Sequence, residues 1–128
     1  MRERLEKDLF HIELMLERLY RIGEYTKRFS ALGLDLRDEM VLDDLAFQLI
    51  QAGEQVANNK LSEETKERYD FVDWRALKQL RNFNAHAYEL SNADLLIRTI
   101  ERKVPNYIKE LEDVRRGLLR EIDIQFEK

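Results

Sequence analysis

The sequence predicts an all-α fold, an antiparallel bundle of four long helices plus one short helix. Three observations carry that expectation. The 128 residues include only four Gly and one Pro, so the two residues that break helices are nearly absent. Hydrophobic residues make up 44% and charged residues 38%, a profile that favours amphipathic helices. Apolar residues also recur at spacings of three, four or seven, the period of one helical stripe.

The first helix is expected from about Glu3 to Phe29, with Leu5, Leu9, Ile12, Leu16, Leu19, Ile22 and Phe29 along its stripe. At 1.5 Å per residue it would be about 40 Å long, so it needs a partner helix to bury that stripe. Gly33 marks the first turn. The second helix starts at Leu36 or Asp38 and runs to about Asn58, presenting Leu42, Leu45, Ala46, Leu49, Ile50, Gly53, Val56 and Ala57. Gly53 inside it costs up to about 1 kcal/mol against Ala, which points to close packing there. Ser62-Glu63-Glu64-Thr65 is a capping-type start for a short helix, and Tyr69 to Val72 reads as a loop. Asp73 is a suitable N-cap for a third long helix from Trp74 to about Tyr88. Ser91-Asn92-Ala93-Asp94 opens the last helix, whose stripe runs from Leu95 and Leu96 to Leu118. Pro105 interrupts that pattern and predicts a kink or break near Lys103–Val104.

One domain spanning 1–128 accommodates all of these elements, with no internal repeat or low-complexity linker. No apolar run approaches the ~20 residues of a membrane span. The charged N-terminal segment lacks the apolar core of a secretory signal. With no cysteine there is no disulfide framework and no thiolate metal site. A cytoplasmic location is the expectation. The net charge of −4 argues against non-specific binding to a phosphate backbone by the whole surface, so any nucleic-acid contact must come from a local patch.

The run Arg81-Asn82-Phe83-Asn84-Ala85-His86-Ala87-Tyr88 is where chemistry concentrates. A guanidinium binds phosphate oxygens in a bidentate fork, and an imidazole exchanges protons near neutral pH. On a regular helix Arg75, Gln79, Asn82 and His86 share one face, Lys78 borders it, and Arg81, Ala85 and Tyr88 form another strip. Leu77, Leu80 and Ala87 would face the core. Arg81 and His86, five residues apart, would diverge by about 140° on a straight helix. Either the helix is irregular near Asn84, or the site is completed across a symmetric dimer. Asn84 would point toward the core, a local conflict in keeping with either. Taken alone, a histidine such as His86 is more often solvated or structural than catalytic, Arg75 and Lys78 are better read as an ordinary solvated face, and Tyr88 as a core or boundary residue. His11 and Trp74 read as structural.

The pattern Arg-x4-His-x-Tyr resembles the signature of the HepT-like toxins of the HEPN superfamily, small helical ribonucleases. The resemblance extends to the Ala52-Gly53-Glu54-Gln55-Val56 stretch, the Asp73-Trp74-Arg75 start and the proline of the last helix. It implies a HEPN-like fold and a homodimer with its cleft between two motif-bearing helices. It also implies a metal-independent endoribonuclease with no cofactor and no metal site. In that reading His86 acts as general base or acid at the ribose 2′-hydroxyl and Arg81 holds the scissile phosphate. Asn82 orients phosphate or imidazole, and the product is a 2′,3′-cyclic phosphate. Arg75 and Lys78 become candidate RNA contacts.

The same resemblance implies a type VII-like toxin–antitoxin pair, in which an MNT-type nucleotidyltransferase antitoxin adenylylates Tyr88. AMP there adds bulk and negative charge beside Arg81. Many relatives have a bulky aliphatic residue before the histidine and an acidic or polar one after it; this chain has Ala85 and Ala87. The alternative function is a non-catalytic helical substrate-binding subunit of a minimal nucleotidyltransferase, since the same bundle occurs in that role.

Overall fold

The computed structural model describes residues 1–83 and 90–127, without the side chains of 90–92, 126 and 127. Helix α1 spans Arg2–Ala31, α2 Glu39–Glu54, α3 Glu63–Arg68 and α4 Trp74–Gln79, the last continued by a 3-10 turn over Leu80–Asn82. Helix α5 spans Leu90–Arg98, a π-helical segment covers Thr99–Lys103, and α6 runs over Val104–Glu127. The architecture is the expected all-α bundle.

Helix α1 lies between α2 and α6 and is antiparallel to both. Along α2, Lys7 donates to the Asn59 carbonyl, His11 Nδ1 lies 2.8 Å from Gln55 Oε1, and Arg18 donates to Gln48 Oε1 at 3.2 Å. Along α6, Arg115 donates to Glu13 and Tyr20 to Glu112, while Gln125 reaches Met1. In both pairings one residue number rises as the other falls. The interior they enclose is apolar, and Ile12, Leu19, Leu45, Leu49, Leu111 and Leu118 are fully buried. Leu5, Leu16 and Ile22 of the α1 stripe are buried too, whereas Leu9 and Phe29 are only partly covered. Leu95, read as part of the last stripe, is exposed.

The α1–α2 turn uses Gly33 at φ +79, the left-handed conformation a side chain resists. Asp38 caps α2 by accepting the Met40 N–H at 2.9 Å. Helix α2 ends at Glu54, four residues before the expected Asn58: the next N–H groups, of Gln55, Val56 and Ala57, bond carbonyls three residues back, and Asn58 and Asn59 then both take positive φ. Asparagine tolerates that conformation better than most residues and turns the chain toward α3.

One buried charge docks α3 on α1. Asp8 is fully buried. Its carboxylate accepts the Ser62 N–H at 2.9 Å and the Ser62 and Thr65 hydroxyls at 2.5 Å each. Arg4 bridges the cluster, donating to Asp8 at 3.4 Å, Ser62 Oγ at 3.1 Å and Thr65 Oγ1 at 3.2 Å. Ser62 also caps α3 by accepting the Thr65 N–H, so one hydroxyl both starts the helix and anchors it.

Pro105 sits at the second position of α6. It has no N–H, and its ring excludes a normal contact with the carbonyl four residues back. The helix accommodates it through the π segment immediately upstream, where the Val104 N–H bonds the Thr99 carbonyl five residues back. The irregularity expected near Lys103–Val104 is therefore a π-bulge. Ser91 lies within α5, Leu90–Arg98, and is therefore not its cap.

Candidate active site

Helix α4 is set up by two local contacts. Asp73 accepts the Ala76 N–H at 3.0 Å, the expected N-cap. The Trp74 indole N–H lies 3.2 Å from the Lys66 carbonyl and 3.1 Å from the Tyr69 carbonyl. It thereby supplies a donor to the Lys66 carbonyl in the last turn of α3 and shares the Tyr69 carbonyl with the Val72 N–H. Trp74 is structural, as its position after a cap indicated, and its polar edge fixes where α4 begins.

From there the chain departs from the expected long helix. Regular helix ends at Gln79, Leu80–Asn82 forms a 3-10 turn, and Phe83 takes φ −65, ψ 124, an extended conformation. The expectation that one helix continues from Trp74 to Tyr88 is corrected here. The break at Phe83 agrees with the irregularity near Asn84 expected as one of the two ways to reconcile the Arg81–His86 spacing. The shared face of Asn82 and His86 and the Arg81–Ala85–Tyr88 strip rest on residues outside the described ones. Asn84, Ala85, His86, Ala87 and Tyr88 lie outside the described residues. The core expectations for Leu77 and Leu80 hold: both are buried.

Arg81 is half-buried and Asn82 exposed; Arg75 and Lys78 are exposed on α4. Among the described residues these three cations have no carboxylate within ion-pair distance. Elsewhere arginines are commonly tied to acids one turn away, as in Arg21–Glu17 and Arg28–Glu24. Residues 75–109 hold seven Lys/Arg against three Asp/Glu in a chain whose net charge is −4. The stretch containing Arg81 is therefore net basic within an acidic protein.

The 3-10 turn packs on α2 through a glycine. A Cβ added at Gly53 would lie 2.6 Å from the Arg81 amide nitrogen, 3.0 Å from the Leu77 carbonyl oxygen and 3.3 Å from Arg81 Cβ. Two of these neighbours are backbone atoms. The close approach anticipated at Gly53 is thus a contact with the residue proposed to hold phosphate, a partner that the sequence did not name.

Titration is perturbed where Asp73, the N-cap of α4, lies near α6. The Glu110 carboxyl is held above its ordinary range by burial first, then by the neighbouring charges of Asp73 and Asp113. Tyr107 is raised by burial, with Asp73 and Glu110 adding to it. On α2, burial raises Asp44 against the opposing hydrogen bond from Gln48. Among the described residues no three His, Asp or Glu are grouped as metal ligands, and no helix is long and apolar enough to cross a membrane.

The family model described as "Ribonuclease HepT-like" matches residues 15–114. The chain belongs to the HepT-like ribonuclease family. The matched region includes Gly53, the α4 start, the whole Arg81–Tyr88 run and Pro105, the features on which the resemblance rested. No curated protein and no solved structure gives a significant match.

Proposed function

We propose that this HepT-like protein is a metal-independent endoribonuclease, the toxin of a type VII-like toxin–antitoxin pair acting on cytoplasmic RNA as a homodimer. In this reading His86 removes the proton of a ribose 2′-hydroxyl. The 2′-oxygen then attacks the adjacent phosphorus, and the 5′-oxygen leaves with a proton supplied by the imidazole of the site. The products are a 2′,3′-cyclic phosphate and a free 5′-hydroxyl. Arg81 neutralises the non-bridging oxygens as charge builds on them. Asn82, exposed on the turn that carries Arg81, orients the phosphate. Arg75 and Lys78 draw in the RNA backbone.

The observation that carries the reading is the family match over residues 15–114 with Arg81, His86 and Tyr88 all inside it. The cations Arg75, Lys78 and Arg81, which have no ion pair among the described residues, support it, because a phosphate site needs positive charge that is not already spent on carboxylates.

Regulation follows from the same residues. A nucleotidyltransferase antitoxin of the MNT type would join the Tyr88 phenol oxygen to the α-phosphorus of ATP, with pyrophosphate leaving. The AMP so attached competes for Arg81 with the substrate phosphate. Co-expression with such an antitoxin is expected to add one AMP to the intact mass, localised to Tyr88, and to relieve growth arrest. Growth inhibition that persists in Tyr88→Phe despite the antitoxin completes the expected pattern. A chain that neither arrests growth nor cleaves RNA would instead point to the non-catalytic substrate-binding subunit.

A further inference from the structure

We infer that Gly53 is a positioning residue for Arg81: its missing side chain fixes where the guanidinium starts. The inference rests on the ribonuclease reading for what Arg81 does, but its geometry stands by itself. Arg81 N and Leu77 O are four residues apart, the donor and acceptor spacing of one helical turn. A Cβ at Gly53 would enter that turn from the side, 2.6 Å from one atom and 3.0 Å from the other. Both atoms are backbone, so neither yields by changing a rotamer. The turn has to lift off α2 by roughly 1 Å to restore ordinary contact distances.

The surroundings leave little other freedom. Helix α4 is held at its start by the Asp73 cap and by the Trp74 indole, and Leu77 and Leu80 are sunk in the core on either side. A lift at Gly53 is therefore expressed at Arg81, where the chain leaves the helix for the extended Phe83. Misplacement of about 1 Å in a group that binds the reacting phosphate costs roughly tenfold to a hundredfold in rate.

Gly117 supplies the internal control. It is the other crowded glycine: a Cβ there runs into the Tyr69 ring and hydroxyl. Its obstacle is the outer end of the Tyr69 side chain, which can turn aside, and not the backbone of the turn that carries Arg81. Gly53→Ala and Gly117→Ala are both expected to lose stability, and only the first should displace Arg81.

The test compares wild type, Gly53→Ala, Gly117→Ala and Arg81→Ala on one cleavable RNA, with kcat and KM resolved and activity expressed per folded molecule from urea titrations. The Arg81 backbone amide resonance is followed in parallel by NMR. Gly53→Ala should lower kcat roughly tenfold to a hundredfold with KM within about twofold, and should shift the Arg81 amide. Gly117→Ala should leave both at wild-type values. Full kcat in Gly53→Ala, or an equal loss in Gly117→Ala, overturns the role of Gly53. An inactive, unmodified wild type overturns the ribonuclease reading itself; the amide shift, which needs no activity, then still reports whether Gly53 seats Arg81.

Discussion

The Thr65 hydroxyl donates to the fully buried Asp8 carboxylate at 2.5 Å, joining α3 to α1 across 57 residues of sequence. Ser62 adds its hydroxyl and its N–H to the same carboxylate, so the oxygens of Asp8 are well supplied with donors. A buried charge is tolerated only on such terms. Asp8→Ala strands a backbone N–H and two hydroxyls, and is expected to cost about 3 kcal/mol or more. Asp8→Asn keeps an acceptor for the Ser62 N–H and should cost roughly half of that. The midpoints of urea unfolding check both values and their order.

Asp73 is expected to separate a capping role from a charge role. Asp73→Ala removes the acceptor for the Ala76 N–H and should destabilise by about 1 kcal/mol, with a fall in RNA cleavage because α4 leads into Arg81. Asp73→Asn retains a good cap and relieves the repulsion that the Glu110 carboxylate feels from Asp73. Stability equal to or slightly above wild type is expected, with activity retained. Urea midpoints and per-molecule cleavage rates measure the two effects separately.

Glu110 gives a pH dependence of defined sign. Its carboxyl is raised in the folded state, chiefly by burial and then by Asp73 and Asp113, so the folded protein holds the proton more tightly than the unfolded chain. Its contribution to stability is therefore full below the ordinary glutamate range and is lost as pH rises through the folded value. Glu110→Gln should leave stability unchanged near pH ~4 and raise it at neutral pH. Urea midpoints of both proteins across that interval report the difference.

Arg75 and Lys78 are predicted to bind RNA through its phosphates. Arg75→Gln and Lys78→Gln should each raise KM with little change in kcat, and each should reduce the slope of log affinity against log salt by about 1. An unchanged salt slope would return both residues to an ordinary solvated face.

Much of the fold was legible because its determinants are local. The 3.6-residue stripes placed α1 and α2, and the polar residues Asp38, Ser62 and Asp73 cap helices through their own nearby N–H groups. Pro105 announced the irregularity that the π segment resolves. What was not legible depends on partners distant in sequence. Asp8 looks like any surface acid until Ser62 and Thr65 are brought to it. The polar run at Ser91 looked like a cap, yet the same residue types also serve inside a helix, as Ser91 does in α5. The early end of α4 was signalled by the divergence of Arg81 and His86 on a straight helix and by the core-facing Asn84, which left an irregular helix or a dimer as alternatives. Its seat against Gly53 is tertiary. Within the site, residue identity was readable and placement was not: Arg81 and Asn82 sit on a 3-10 turn rather than on the helix that spacing implied.

The most direct test of the account is cleavage of a labelled cellular RNA pool in excess EDTA by protein whose intact mass shows no AMP. Wild type should cut and leave 2′,3′-cyclic phosphate ends, and Arg81→Ala and His86→Ala should each lose roughly a hundredfold or more of that activity. No cutting by the unmodified wild type, or cutting that needs added Mg²⁺ and survives His86→Ala, would contradict it.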